Sequence, residues 1–297
     1  MLSRCMARTI SIVGAGRVGR TLATRLRELG WRIGAVATRS SATARAAVKA
    51  IGDGSPFPRL TRDVLDADIV LLATPDGALA PVAAALARLG DKECHGKVML
   101  HTSGALDRNI LAPLARCGAA TGSLHPMQTF SGRSLPNLKG VIFTVEGDPR
   151  ARRAAQQIAR QLGGVPVTIK GADKPAYHAA AVLVAGHALA LVEAATQILM
   201  RVGFSRRRAI AALLPLVRQM LDNFERLGPQ AAWTGPIARG DLDVVAKHSQ
   251  ALKKYPREFR ETYAALSLLA GRVLSKNPAA TIQHLKRALK KSGGGPI

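Results

Sequence analysis

A short β-rich run, Thr9–Val13, passes directly into Gly14-Ala15-Gly16-Arg17-Val18-Gly19, and a helical stretch, 17–29, follows. This feature constrains the fold more than any other. The pattern is GxGxxG, placed where its mechanism requires it, after a strand and at the opening of a helix. Gly14 allows the tight turn, Gly16 lets the backbone approach an anion, and Gly19 lets the helix pack closely on the strand. The free N–H groups of the helix N-terminus then favour a pyrophosphate. Gly14, Ala15, Gly16, Arg17, Val18 and Gly19 are therefore read as a dinucleotide cradle.

The rest of the first half keeps the same rhythm. Strands are expected at 32–37, 68–73, 97–101, 119–124, 141–146 and 165–169, with helices at 42–51, 77–89, 106–116 and 149–162 and a loop at 52–58. The run Asp68-Ile69-Val70-Leu71-Leu72-Ala73 is nearly all apolar, as in a strand covered on both faces. The alternation predicts an α/β fold with a doubly wound, mostly parallel sheet. From Asp173 onward no strand is apparent, and the segment reads as all-helical. Asp173 is expected to cap a helix reaching about Met200, and Ser205 to cap Arg206–Leu227, with a kink or break at Pro215. Asp241 should cap a further helix through Lys254, and a last pair covers 259–274 and 279–291. The expected domains are 1–170 for the dinucleotide and 171–291 for substrate and dimerisation, with a disordered Gly-rich tail at 292–297.

Composition excludes several classes. Charged residues are 21% and hydrophobic residues 47% of 297, a globular mix. The 3 Cys, Cys5, Cys94 and Cys117, lie far apart, which argues against a disulfide scaffold and a Cys-rich metal site and for a reducing compartment. No metal is expected. The formal net charge is +24, but the basic residues are scattered and aromatics are only 4%, too few for a base-stacking surface. The charge is read as solvated helix faces that favour anionic ligands, with nucleic acid disfavoured as a partner. No apolar h-region opens the chain. The apolar run Ala179–Val192 is shorter than a membrane span and reads as a buried core helix. The expectation is a cytoplasmic protein without a membrane partner.

The second strand selects the nucleotide. Twenty residues beyond Gly19, where an NAD site usually holds Asp or Glu, stand Thr38-Arg39-Ser40-Ser41, with no carboxylate between Ile33 and Asp53. Arg39 suits a 2′-phosphate, and the Ser40 and Ser41 hydroxyls can bond it. NADP(H) is the expected cofactor. Thr74 and Pro75, after the third strand of the alternation, should line the dinucleotide with Thr102, while Asp76 reads as a helix cap.

Two more strand ends carry polar residues, His101-Thr102-Ser103-Gly104 and Ser123-Leu124-His125-Pro126-Met127-Gln128. Ser103 is positioned to bond a substrate carboxylate or carbonyl, with Gly104 letting the backbone come near. His125 either does likewise or is structural, and His101 reads as structural. Lys174 and His178 lie four apart at a helix start and share a face. A hydride acceptor, C=O or C=N, needs a proton donor beside it, and His178 is the first choice. Lys174 is a candidate substrate ligand. Arg239 either clamps a substrate carboxylate or serves in a cap and salt bridge.

Gly14–Gly19, Thr74-Pro75-Asp76, His101-Thr102-Ser103-Gly104, Ser123-Leu124-His125-Pro126, Tyr177-His178-Ala179-Ala180 and Thr234-Gly235-Pro236-Ile237-Ala238-Arg239-Gly240-Asp241 together resemble one family. It joins a Rossmann-like NADP-binding domain to a helical domain of unknown function 2520, and the match spans about residues 9–275. In architecture the family is similar to pyrroline-5-carboxylate reductase, ketopantoate reductase and 6-phosphogluconate dehydrogenase. The resemblance implies an NADPH-linked reductase, often a homodimer through the helical domain, and names no substrate. The expected activity is hydride transfer to or from a small anionic imine or keto/hydroxy acid at a site between the two domains. One position departs. The wider superfamily uses a Lys and an Asn one turn later, yet Gly186 stands where the Asn is expected and no such pair exists. Either His178 replaces that chemistry, or the chain binds NADP(H) without turnover as a regulatory or partner-binding protein.

Overall fold

The computed structural model describes residues 8–132 and 134–291. The tail 292–297 lies outside the described residues. Eight strands, β1 (Thr9–Val13), β2 (Arg32–Ala37), β3 (Ser55–Phe57), β4 (Ile69–Leu72), β5 (Val98–His101), β6 (Ala120–Pro126), β7 (Ile142–Gly147) and β8 (Val165–Thr168), form one sheet in the order β3-β2-β1-β4-β5-β6-β7-β8. Every pairing is parallel except β6 with β7. The α/β, doubly wound fold expected from the alternation is the observed one.

The helices of this part are α1 (Arg17–Glu28), α2 (Ser41–Ile51), α3 (Asp76–Leu89), α4 (Ala112–Arg116), α5 (Pro149–Gln161) and α6 (Lys174–Val182). Alternation in β4 shows why both sheet faces are covered. Ile69 and Leu71 join the cluster that holds Leu22 and Leu26 of α1 and Ile158 of α5. Val70 and Leu72 join the opposite one, with Leu79 and Leu86 of α3. Each such fully buried Leu or Ile contributes roughly 1.5–3 kcal/mol.

After α6 come a π turn (Leu183–His187), α7 (Ala188–Arg201), α8 (Arg206–Ala232), α9 (Pro236–Arg239), α10 (Leu242–Ala251), α11 (Arg257–Val273) and α12 (Pro278–Lys291). The chain divides into two compact units, Met1–Gly186 and His187–Ile297. The division falls after α6 rather than at residue 170. Within the second unit α7 packs on α8, with an Arg206–Glu193 ion pair at 2.8 Å, and Val245, Ala264, Leu285 and Leu289 form a small core.

Several local expectations need correction. β3 lies in the segment read as a loop: it is three residues long, contains Pro56, and sits at the sheet edge, where a missing N–H is tolerated. β6 runs on through Pro126, so His125 stands on the strand rather than past it. Asp76 is the first residue of α3 and Pro75 its cap. Asp173 and Asp241 make no side-chain cap bond. α8 keeps helical geometry through Pro215; its one non-helical residue is Gly228, at φ 77°. The flanking Ala, Leu, Arg and Gln residues are strong helix formers that offset the lost N–H bond.

The apolar run 179–192 is not buried in the single chain. Val184 is 76% and Leu189 71% exposed. It belongs to the stretch Gly171–Arg201, the one helical stretch among the described residues long and apolar enough to cross a membrane.

Candidate functional site

Register aligns the strand ends. Ala37 of β2 pairs with Val13 of β1, Val13 with Leu72 of β4, Leu72 with His101 of β5, His101 with Ser123 of β6, and Ser123 with Glu146 of β7. This row crosses the sheet, and the residues just beyond it on β1, β2, β4, β5 and β6 share one edge. The strand order reverses between β1 and β4, the place where open α/β sheets bind ligands.

The cradle sits at that reversal. Gly14 has φ +88° and its N–H donates to Ala37 O at 2.9 Å. A Cβ on Gly14 would come within 2.8 Å of the Ala73 backbone, and one on Gly19 would collide with the Gly14 carbonyl. Gly16 differs: it caps α1 with no side-chain bond, it is exposed, and nothing lies within 4 Å of where its Cβ would be. Ala15 and Val18 pack on the core below. Arg17 reaches the Phe130 carbonyl at 3.4 Å. Beside this turn the Thr74 hydroxyl oxygen is buried with no hydrogen-bond partner among the described residues. Pro75 is exposed at the N-terminus of α3, and the Thr102 N–H donates to Leu72 O.

At the end of β2, Arg39 is exposed and makes no ion pair among the described residues. The Ser40 hydroxyl caps α2, accepting the Thr43 N–H at 3.2 Å and pairing with Thr43 Oγ1 at 2.7 Å. Ser41 is exposed as the first residue of α2. An uncapped helix start without first-turn acids, an open glycine face, an orphaned threonine oxygen and an unpaired guanidinium fit a nucleotide diphosphate with a further phosphate.

The second cluster lies past β5 and on β6. His101 is fully buried. Its Nδ1 accepts the Ser103 N–H at 3.2 Å, so the proton sits on Nε2, which faces the Asp107 carbonyl at 3.2 Å. Burial, then the Lys174 charge, pushes its pKa down to about 3. Both nitrogens are occupied, as befits a structural histidine. Ser103 Oγ accepts the N–H groups of Ala105 and Leu106 at 3.2 and 3.0 Å, which leaves its own proton free to donate.

His125 is held from below and open toward Gly104. Its Nδ1 meets the Tyr177 hydroxyl at 2.8 Å. Burial, then Lys174 and His178, lower its pKa to about 4, so at neutral pH it carries one proton. The His178 ring lies edge-on to it, centroids 5.9 Å apart. Gly104 separates the two: a Cβ there would lie 2.6 Å from His178 Cδ2 and 2.9 Å from His125 Cε1 and Nε2. His125, Tyr177, His178, Ser103 and Gly104 thus form one cluster. Tyr177 was not singled out as a site residue, although it directly precedes His178 in sequence.

Two candidate substrate ligands are already engaged within the protein. Lys174 is fully buried, and its ammonium donates to the Ser103 carbonyl and the Ser123 hydroxyl, both at 2.9 Å, so it is turned into the protein rather than offered to a substrate carboxylate. Ser123, which the sequence placed in a polar strand end without giving it a role, and Glu146, which no sequence signal marked, complete this environment. Arg239 lies in the second unit and pairs with Asp241 at 2.9 Å on an exposed surface. Among the described residues no group of three or more His, Cys, Asp or Glu could hold a metal ion.

Comparison with known proteins agrees with this architecture. Residues 4–126 match the model of the Rossmann-like domain, and residues 141–270 that of a domain of unknown function, DUF2520. No curated protein matches the chain. Protein TM1727 from Thermotoga maritima is similar in fold over 96% of this chain and 100% of its own, at 23% identity and TM-score 0.67. The reductive aminase from Aspergillus terreus, solved with NADPH and ethyl-5-oxohexanoate, covers 98% and 97%, at 19% identity and TM-score 0.61. A 1-pyrroline-5-carboxylate reductase from Streptococcus pyogenes covers 96% and 99%, at 12% identity and TM-score 0.59. The chain therefore joins a Rossmann-like domain to a DUF2520 domain.

Proposed function

We propose that the chain is an NADP(H)-dependent oxidoreductase that moves hydride to or from a small imine or keto/hydroxy acid. The observation that carries this reading is the single aligned edge. The glycine cradle on β1, Arg39 past β2, the Thr74 oxygen past β4, and the Ser103–Gly104–His125–His178 cluster all lie along it. The glycines and Thr74 hold the nucleotide, and Arg39 selects its 2′-phosphate. The bound nicotinamide supplies or accepts the hydride.

The protein groups do the rest. His125 is neutral; when Tyr177 donates to its Nδ1, its proton sits on Nε2 and points past Gly104. It fixes a C=O or C=N by donating one hydrogen bond. Ser103 offers a second donor, and His178, which makes no hydrogen bond among the described residues, exchanges the proton that balances hydride transfer. With Lys174 buried, these neutral donors define the binding environment in the first unit. An anionic group on the substrate would have to be met outside this cluster.

We also propose a homodimer through the helical region, supported by the exposure of Leu183, Val184, Leu189, Leu216, Leu221 and Phe224 in the single chain. Such a dimer would cover the Gly171–Arg201 stretch, which is consistent with a cytoplasmic protein rather than a membrane span.

The test is NADPH oxidation across a panel of imines and keto acids. His178→Ala or Ser103→Ala should slow turnover at least about tenfold while NADPH affinity is kept. Unchanged turnover in both variants removes the site assignment. A second reading, binding without turnover, is favoured by Gly186 and by the buried Lys174, which leave no exposed lysine–asparagine pair; NADPH binding without oxidation of any panel compound would support it.

A further inference from the structure

Lys174 takes no part in the chemistry above, yet it is the largest buried polar side chain of the sheet unit. An ammonium removed from water must be solvated by protein groups or neutralised. Here Nζ bonds one acceptor beyond β5, the Ser103 carbonyl, and one on β6, the Ser123 hydroxyl. Lys174 itself opens α6, which also carries Tyr177 and His178. One cation therefore ties together the three elements that supply the cluster. Ser103 immediately precedes Gly104. Ser123 and His125 are two apart on β6 and so point to the same face of the sheet.

We propose that Lys174 is a positioning residue whose ammonium bolts the Ser103 carbonyl to the Ser123 hydroxyl and so fixes the close approach of Gly104 to the His125 imidazole, and with it the direction in which His125 Nε2 is offered to the reacting group of the substrate. The substrate half of this statement rests on the oxidoreductase reading; the clamp itself does not. A lysine suits the task because it bonds two acceptors in different directions from a compact head, which a planar guanidinium cannot do in the same space.

The cation has an electrostatic consequence as well. The titratable groups around His125 are His101 on β5, Tyr177 and His178 on α6, and Lys174 itself, with Glu146 on β7, Asp107 after β5 and Asp76 on α3 facing the lysine. Burial lowers the lysine to about 8, while Glu146, Asp107 and Asp76 pull it up, so it stays charged at neutral pH. A cation in that place opposes any second positive charge on His125.

Three full-length proteins decide the matter: wild type, Lys174→Met and Ser123→Ala. Each is compared for NADPH affinity, turnover on the carbonyl and imine panel, and histidine ring resonances between pH 5 and 8. The His125 signal is assigned with His125→Asn. In Lys174→Met the His125 midpoint should rise by about half a unit or more, seen as a growing protonated fraction near pH 5. The kcat should fall at least about tenfold with NADPH affinity kept. A folded Lys174→Met with both quantities unchanged overturns the proposal. If Lys174→Met does not fold, Ser123→Ala decides. It retains the cation, so the His125 midpoint should hold, while kcat falls and the Gly104 amide resonance moves. An unmoved Gly104 resonance with full kcat overturns the clamp. If wild type turns over no panel compound, the oxidoreductase reading fails by itself; the His125 midpoint and the Gly104 resonance still test the clamp.

Discussion

Gly104→Ala is the smallest change that reaches the heart of the cluster. The added methyl would lie 2.6 Å from His178 Cδ2 and 2.9 Å from His125 Nε2 and Cε1. Carbon atoms settle at about 3.5–4.0 Å, so the His178 ring must retreat by about 0.9 Å and the His125 ring by about 0.6 Å. His125 cannot retreat freely, because its far nitrogen is bonded to Tyr177 at 2.8 Å. A shift of that size stretches or breaks this bond or drives Tyr177 off its rotamer. Overpacking of this kind costs about 1–3 kcal/mol, and the low end applies where rings border open space. Misplacing two reacting groups by nearly 1 Å costs about a hundredfold in rate. The assay is threefold: denaturant unfolding, NADPH titration by fluorescence, and turnover on the best panel compound. Stability should drop by about 1 kcal/mol, NADPH affinity should hold, and kcat should collapse. Full kcat with unmoved His125 and His178 resonances would refute the reasoning, since the methyl would then have found room that the geometry denies it.

Two further outcomes concern the buried histidines and the exposed helical leucines. His125 and His101 titrate at about 4 and 3 in the folded chain against about 6.5 unfolded, so below 6.5 the unfolded chain binds protons that the folded one does not. Their contribution is fully present above pH 6.5 and is lost as pH falls toward 4 and 3. Linkage gives a loss of about 2 kcal/mol from each between pH 7 and 5, and equal unfolding free energies at those two pH values would contradict it. Light scattering should give about twice the chain mass of 31.3 kDa, and Leu189→Glu combined with Leu216→Glu should lower it toward one chain; a monomeric wild type would refute the dimer.

The sequence made the sheet legible because its signals were local. A strand, a glycine turn and a helix start are contiguous in Thr9–Gly19, and the alternation of β4 and α3 is equally local. Arg39 drew attention because in dinucleotide folds the residue that meets the 2′ position stands at a near-fixed distance along the chain from the cradle, and the structure places it exposed just past β2. The three-residue β3 was not, because only its pairing with β2 makes it a strand. Pro215 misled for the opposite reason: its local penalty is real, but the surrounding helix formers outweigh it. In the cluster, Ser103, His125 and His178 stood out as polar residues at strand and helix ends. The role of Lys174 was hidden, since its acceptors lie 71 and 51 residues away in the chain. No spacing rule distinguishes a lysine facing a substrate from one buried against Ser103 and Ser123.

The central claim is that the amino end of α1 and the Arg39 guanidinium hold a phosphorylated pyridine nucleotide. It is tested most directly by measuring the affinities of NADPH and NADH for wild type and for Arg39→Ala side by side. Wild type should prefer NADPH, and Arg39→Ala should lose about 1.5–3 kcal/mol for NADPH while binding NADH nearly as before. No affinity of the wild type for either nucleotide, or equal losses for both in the variant, would contradict the account.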